Sequence, residues 1–102
     1  MRRMSRGYVG ILSVDLHFPA SGSLKGKRRE LLSIKAQLQR RFGASVAEVD
    51  HHDLWQRARL TLSCVGRTYR DVDELLAGAE RYLAGQAFEV GPCEREVVTL
   101  DE

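Results

Sequence analysis

A chain of 102 residues with 43% apolar and 29% charged residues has the size and mix of a single globular domain that folds without staples. No apolar run approaches the roughly 18 residues needed to cross a bilayer, and the basic start "MRRMSRG" runs into "YVGILSVDLHF", broken by Ser13, Asp15 and His17 without a small-residue cleavage site, so a cytoplasmic protein with neither membrane span nor signal peptide is expected. Cys64 and Cys93 lack a CxxC partner, which fits reduced thiols rather than a disulfide framework, and a net charge of +2 points to no partner by itself.

In chain order, residues 8–18 alternate as a strand: Tyr8, Leu12, Val14, Leu16 and Phe18 share one parity, and Val9, Ile11, Ser13, Asp15 and His17 the other. "PASGS" breaks it, and Ser23 is placed to cap a helix. Leu24, Arg28, Leu31, Ile34, Leu38 and Phe42 then follow helical spacing, with Gly43 as its stop. "ASVAEVD" (44–50) reads as a short strand. A third runs from about Gln56 to Val65, with Ala58, Leu60, Leu62 and Cys64 on its apolar parity. Thr68 stands three residues before Asp71, a variant capping box, and opens a helix with Val72, Leu75, Leu76, Ala79, Tyr82 and Leu83 on one face, closed by Gly85. A last strand lies within 88–100, interrupted by Gly91-Pro92 as an edge strand or bulge permits. The ends, 1–6 and 101–102, are expected to fray.

The order βαββαβ, with two right-handed crossovers, predicts an α+β, ferredoxin-like sandwich over residues 1–102. Its four-stranded antiparallel sheet has order 4-1-3-2, with two helices on one face. The other parity then lines an open sheet face. If strands 1 and 3 end flush, paired residues sum to 74, setting Val9 against Val65, Ile11 against Ser63, Asp15 against Arg59 and His17 against Arg57. Oppositely charged cross-strand pairs contribute a few tenths of a kcal/mol, up to about 1. Strands 1 and 3 offer no aromatics there, unlike a base-stacking RNA-binding sheet. The Val9, Ile11 and Val65 end suits a homodimer contact instead.

Charge is polarised. Residues 24–42 hold Lys25, Lys27, Arg28, Arg29, Lys35, Arg40 and Arg41 against Glu30, so 7 − 1 = +6, leaving +2 − 6 = −4 for the rest. Cations at a helix start oppose its dipole at about 0.3–1 kcal/mol each. A phosphate or other polyanion at "SGSLKGKRR" relieves that cost, although the phosphate-loop pattern GxxxxGK[ST] is absent. Lys25, Lys27, Arg28 and Arg29 are therefore candidate phosphate ligands, with Arg40 and Arg41 extending the patch.

"EVDHHDLWQRA" (48–58) reads first as a turn, with Asp50 and Asp53 bracing it through side-chain-to-backbone hydrogen bonds and Trp55 over the hairpin or against a helix end. Adjacent strand residues point to opposite faces, so His51 and His52 cannot easily share a metal, and no HExxH or cysteine ligand set accompanies them. No metal and no cofactor is expected. Asp15, His17, His51, Arg57 and Arg59 form a candidate polar cluster, but without a visible nucleophile they assign no catalytic residue.

"SLKGKRR" followed by "VAEVDHHDLWQRA" closely resembles the YlxP-like family of small bacterial proteins of uncharacterised function. The resemblance extends from "VGILSVDLHFP" to the C-terminal "EREVV". It implies the ferredoxin-like fold. In some bacteria the family's genes lie among translation genes, near those for ribosome-binding factor A and an initiation factor, so it also implies a link to ribosome maturation or RNA. His52 stands where glutamine is more usual, which weighs against a metal on the histidine pair. The leading expectation is a non-enzymatic protein bound to ribosomal RNA or the ribosome. A small-ligand or enzymatic domain on the polar cluster and a homodimeric module are the alternatives.

Overall fold

The computed structural model describes residues 4–100. Six elements follow in order: β1 (Tyr8–His17), α1 (Leu24–Phe42), β2 (Ser45–Asp50), β3 (Arg57–Gly66), α2 (Tyr69–Ala84) and β4 (Glu89–Thr99). The sheet has order β2-β3-β1-β4 with every pairing antiparallel, the expected topology read from the other edge. β1 and β3 pair flush from Tyr8↔Gly66 to His17↔Arg57, so the sum of 74 holds along the whole ladder.

Local chemistry accounts for the helix limits. Ser23 Oγ accepts from Gly26 N at 3.0 Å, and Gly43 takes the left-handed conformation (φ 62°) that lets its N–H close on Gln39 O. Thr68 Oγ1 accepts from Asp71 N at 3.0 Å, and Gly85 ends α2. One sheet face packs Leu12, Val14, Leu16, Leu60 and Leu62 against Leu31, Ile34 and Leu38 of α1 and Val72, Leu76 and Leu83 of α2. Each such side chain contributes about 1.5–3 kcal/mol on burial.

One correction concerns the helical stripe. The buried line of α1 is Lys27, Leu31, Ile34 and Leu38, whereas Arg28 is exposed. The i, i+4, i+7, i+11 spacing runs back from Leu38 to the lysine. The fraying expected for 1–3 and 101–102 lies outside the described residues. Within 4–6, Ser5 is tied down: its Oγ donates to Arg67 O and accepts from Gly7 N.

β4 is one of the two edge strands, and its ladder slips beside Asp15. Val14 pairs with Cys93 and Leu16 with Val90, leaving Gly91 and Pro92 together opposite Asp15. Behind the sheet, β4 is clasped to α2 by Arg95, which meets Asp73 at 3.0 Å and Glu80 at 2.9 Å. Cys93 is exposed as a residue, yet partial desolvation of its thiol and the hydrogen bond to Glu80 push it up to about 11.

α2 crosses β1 where β1 lacks a side chain. A Cβ on Gly10 would lie 2.3 Å from Val72 Cγ1 and 2.9 Å from Leu76 Cδ1. Gly10→Ala is expected to lower stability by about 1–3 kcal/mol in urea unfolding, through overpacking at this crossing.

Candidate functional site

The helix start and the β2–β3 hairpin form one unit, and Lys27 joins them. Its side chain is fully buried, and its Nζ donates to Glu48 Oε2 at 3.0 Å and to the carbonyls of His51 at 2.8 Å, Arg57 at 3.1 Å and His52 at 3.4 Å. The ladder slips at Val49, since Glu48 pairs with Leu60 and Asp50 with Arg59. The carbonyls of His51, His52 and Arg57 lie beyond the last β2–β3 pair, Asp50↔Arg59, and the ammonium serves them in place of a ladder partner. His51 sits at φ 64°, unusual for a residue with a side chain. Asp50 Oδ1 accepts from its N–H at 2.7 Å, and its carbonyl accepts from both Lys27 and Leu54 N. The Asp50 brace is as expected.

This placement corrects the sequence reading of Lys27 as a phosphate ligand. An ammonium enclosed by four oxygens has no face left for an anion. The signal was available, because Lys27 lies one turn before Leu31 on the apolar stripe. Arg41 also leaves the proposed patch: its guanidinium lies 4.9 Å over the Tyr82 ring and its Nε bonds Gln37. Lys25, Arg28, Arg29 and Arg40 remain exposed, and no ion pair involves them among the described residues. Helical spacing sets Lys25, Arg29 and Arg40 opposite the buried stripe, with Leu32, 69% exposed, between them.

The open sheet face gathers the other candidates around Asp15. Arg59 Nη1 and Arg57 Nη2 approach Asp15 Oδ2 at 3.3 and 3.6 Å, and His51 Nε2 stands 3.9 Å from Oδ1. Arg59 also bonds Ser13 Oγ at 3.0 Å and pairs with Glu94, while Ser13 and Thr61 share a hydrogen bond. His17 faces away, toward Glu89 at 3.5 Å. His52 bonds Glu48 O, so the two histidines diverge. Asp15 Oδ1 is buried without a hydrogen-bond partner. The sheet slip beside it leaves an open hollow of about 320 Å³ lined by Asp15, Leu16, His17, Arg57, Gly91 and Pro92. Such a site can hold a ligand that brings a donor to Asp15. The nearby hydroxyls of Ser13 and Thr61 are engaged with each other and are not poised as nucleophiles. At the far end Val9, Val65 and Val98 form an exposed cross-strand row.

Residues 9–94 match the family described as "Protein of unknown function (DUF503)". Among curated proteins, the chain is similar to the "Uncharacterized protein YlxP" of Bacillus subtilis (strain 168), 33% identical over 73 residues, which cover 68% of this chain and 79% of that protein. Among solved structures it is similar to the "De novo designed protein Ferredog-Diesel", at TM-score 0.45 and 14% identity, over 92% of this chain and 91% of that one.

Removing Lys27 strands Glu48 and the carbonyls of His52 and Arg57, and leaves His51 O with Leu54 N alone. Lys27→Met is expected to cost about 3–5 kcal/mol in urea unfolding, and adding Glu48→Gln to recover part of that loss.

Proposed function

We propose that the chain, which belongs to the DUF503 family of proteins of unknown function, is a non-enzymatic RNA-binding protein that meets the phosphates of ribosomal RNA along the outer face of α1. The observation that supports it is the unpaired state of Lys25, Arg28, Arg29 and Arg40. Lys27, Arg57, Arg59, Arg70 and Arg95 each face a carboxylate, and the α1 cations form the largest group without one among the described residues, beside the scattered Arg67 and Arg81. α1 carries no acid in its first turn, so three of the free cations oppose the helix dipole with nothing to offset them. From Lys25 to Arg40 the stripe spans about 22 Å at 1.5 Å per residue, enough to follow several phosphates. Such contacts position an RNA without reading its sequence, and their binding weakens with salt.

Changing Lys25, Arg28, Arg29 and Arg40 together to Glu leaves the core untouched. In titrations of labelled ribosomal RNA fragments at about 50 and about 200 mM salt, the parent protein is expected to bind more tightly at the lower salt. The variant is expected to lose binding without any fall in its unfolding midpoint, since acids near the start of α1 suit the helix dipole. Equal affinity of the two proteins removes this reading.

One observation favours a second reading, a small-ligand site on the open face: Asp15 Oδ1, buried without a hydrogen-bond partner, beside Arg57 and the hollow. A free amino acid has the complementary chemistry, an ammonium for Asp15 and a carboxylate for Arg57. A thermal-shift series over the common amino acids is expected to show stabilisation by at least one, lost in Asp15→Asn. No shift with any of them rejects it.

A further inference from the structure

We infer that Trp55 is a base-stacking residue, so that the RNA bound at this end of the molecule presents an unpaired nucleotide rather than a continuous duplex. The inference rests on the phosphate-binding reading of α1 and specifies the form of nucleic acid that reading takes. Trp55 is the chain's only tryptophan, and it is 50% exposed with exposed Leu54 beside it. The indole makes no ring–ring or cation–π contact among the described residues.

The backbone that carries the ring is nevertheless firmly held. On one side Leu54 N donates to His51 O, which also accepts from Lys27. On the other, Gln56 O accepts from Phe18 N at 2.7 Å, and Gln56 Nε2 reaches the carbonyls of Pro19 and Ser21 in the segment leading into α1. Arg57 O closes the set on Lys27. A large aromatic surface is thus presented to solvent on an ordered support, which limits the entropy lost on stacking.

The same anchors bring the hairpin to the N-terminal end of α1, whose first two turns carry Lys25, Arg28 and Arg29. Lys27 belongs to that turn and reaches three hairpin carbonyls, and Gln56 holds the loop just before the helix. An exposed indole on the hairpin, together with unpaired cations on the helix to which that hairpin is tied, offers a single strand a ring for a base and charges for its phosphates. Bases stacked in a duplex offer no free face to a protein ring, whereas those of loops and ends do. The open sheet has no aromatic on β1 or β3, so the stacking surface lies at the hairpin and not on the sheet.

The single tryptophan makes the test direct. A single-stranded RNA oligonucleotide and a blunt RNA duplex of equal charge are titrated against the protein while indole emission and the anisotropy of an end label are both followed. Expected are quenching of the emission by the single strand only, and about ten-fold weaker single-strand binding in Trp55→Ala. Duplex binding and the unfolding midpoint stay unchanged, and Trp55→Phe restores part of the affinity. Salt-sensitive binding with unchanged emission, or with equal single-strand affinity in Trp55→Ala, overturns the stacking role and leaves the phosphate contacts of α1 standing. Absence of binding to both RNAs at low salt overturns both.

Discussion

The ammonium of Lys27 is the interaction on which this end of the structure depends. Burying a charge in an apolar layer is costly, and the cost is met here only because a carboxylate and three main-chain carbonyls converge on one nitrogen. Glu48 supplies the opposite charge from β2, and the turn supplies the dipoles. The arrangement works in both directions. Without the lysine the turn's carbonyls face an apolar interior, and without the turn the lysine has one oxygen instead of four. It also holds His51 in a backbone conformation that a residue with a side chain seldom adopts.

The two sides of the sheet use charge differently. On the open face Asp15 Oδ2, Arg59, Glu94 and the Ser13–Thr61 pair engage one another across three strands, leaving only Asp15 Oδ1 without a hydrogen bond in this set. Behind the sheet Arg95 spans two carboxylates of α2. These are closed sets that fix one strand against another. The outer stripe of α1 is open, with cations and no counter-charges, and its neighbour across the Lys27 contact is a half-exposed indole. A surface whose charges are balanced internally has little left to offer a polyanion, so the functional argument rests on the helix and hairpin.

Much of the frame was legible because it follows from periodicity. Parity alone separates Leu12, Val14 and Leu16 from Ser13, Asp15 and His17. The flush register is an assumption that the ladder bears out, and it puts Asp15 beside Arg59. Ser23, Gly43 and Thr68 carry their roles in their chemistry. The site was less legible for an equally physical reason. Counting lysine as a surface residue moves the apolar stripe of α1 to Arg28, although the spacing from Leu31, Ile34 and Leu38 returns to Lys27. What makes that position tolerable is a set of main-chain carbonyls beyond the end of the β2–β3 ladder, and no side-chain pattern announces where they converge. Arg41 escaped likewise, since its contact with Tyr82 joins two helices far apart in sequence. The hollow beside Asp15 needed the slip in β4 to be located to a residue.

That slip has a consequence for how copies of the protein avoid one another. β4 leaves one side of its backbone unpaired along eleven residues, a template for accidental strand addition and for aggregation. The doubled Gly91-Pro92 step bends the strand out of regular pairing, and Pro92 contributes no N–H to a visiting chain. Glu89, Glu94 and Glu96 add like charges that repel a second β4 approaching in parallel or antiparallel. The irregularity that opens a hollow within the molecule thus also keeps its exposed border from being extended by a neighbour.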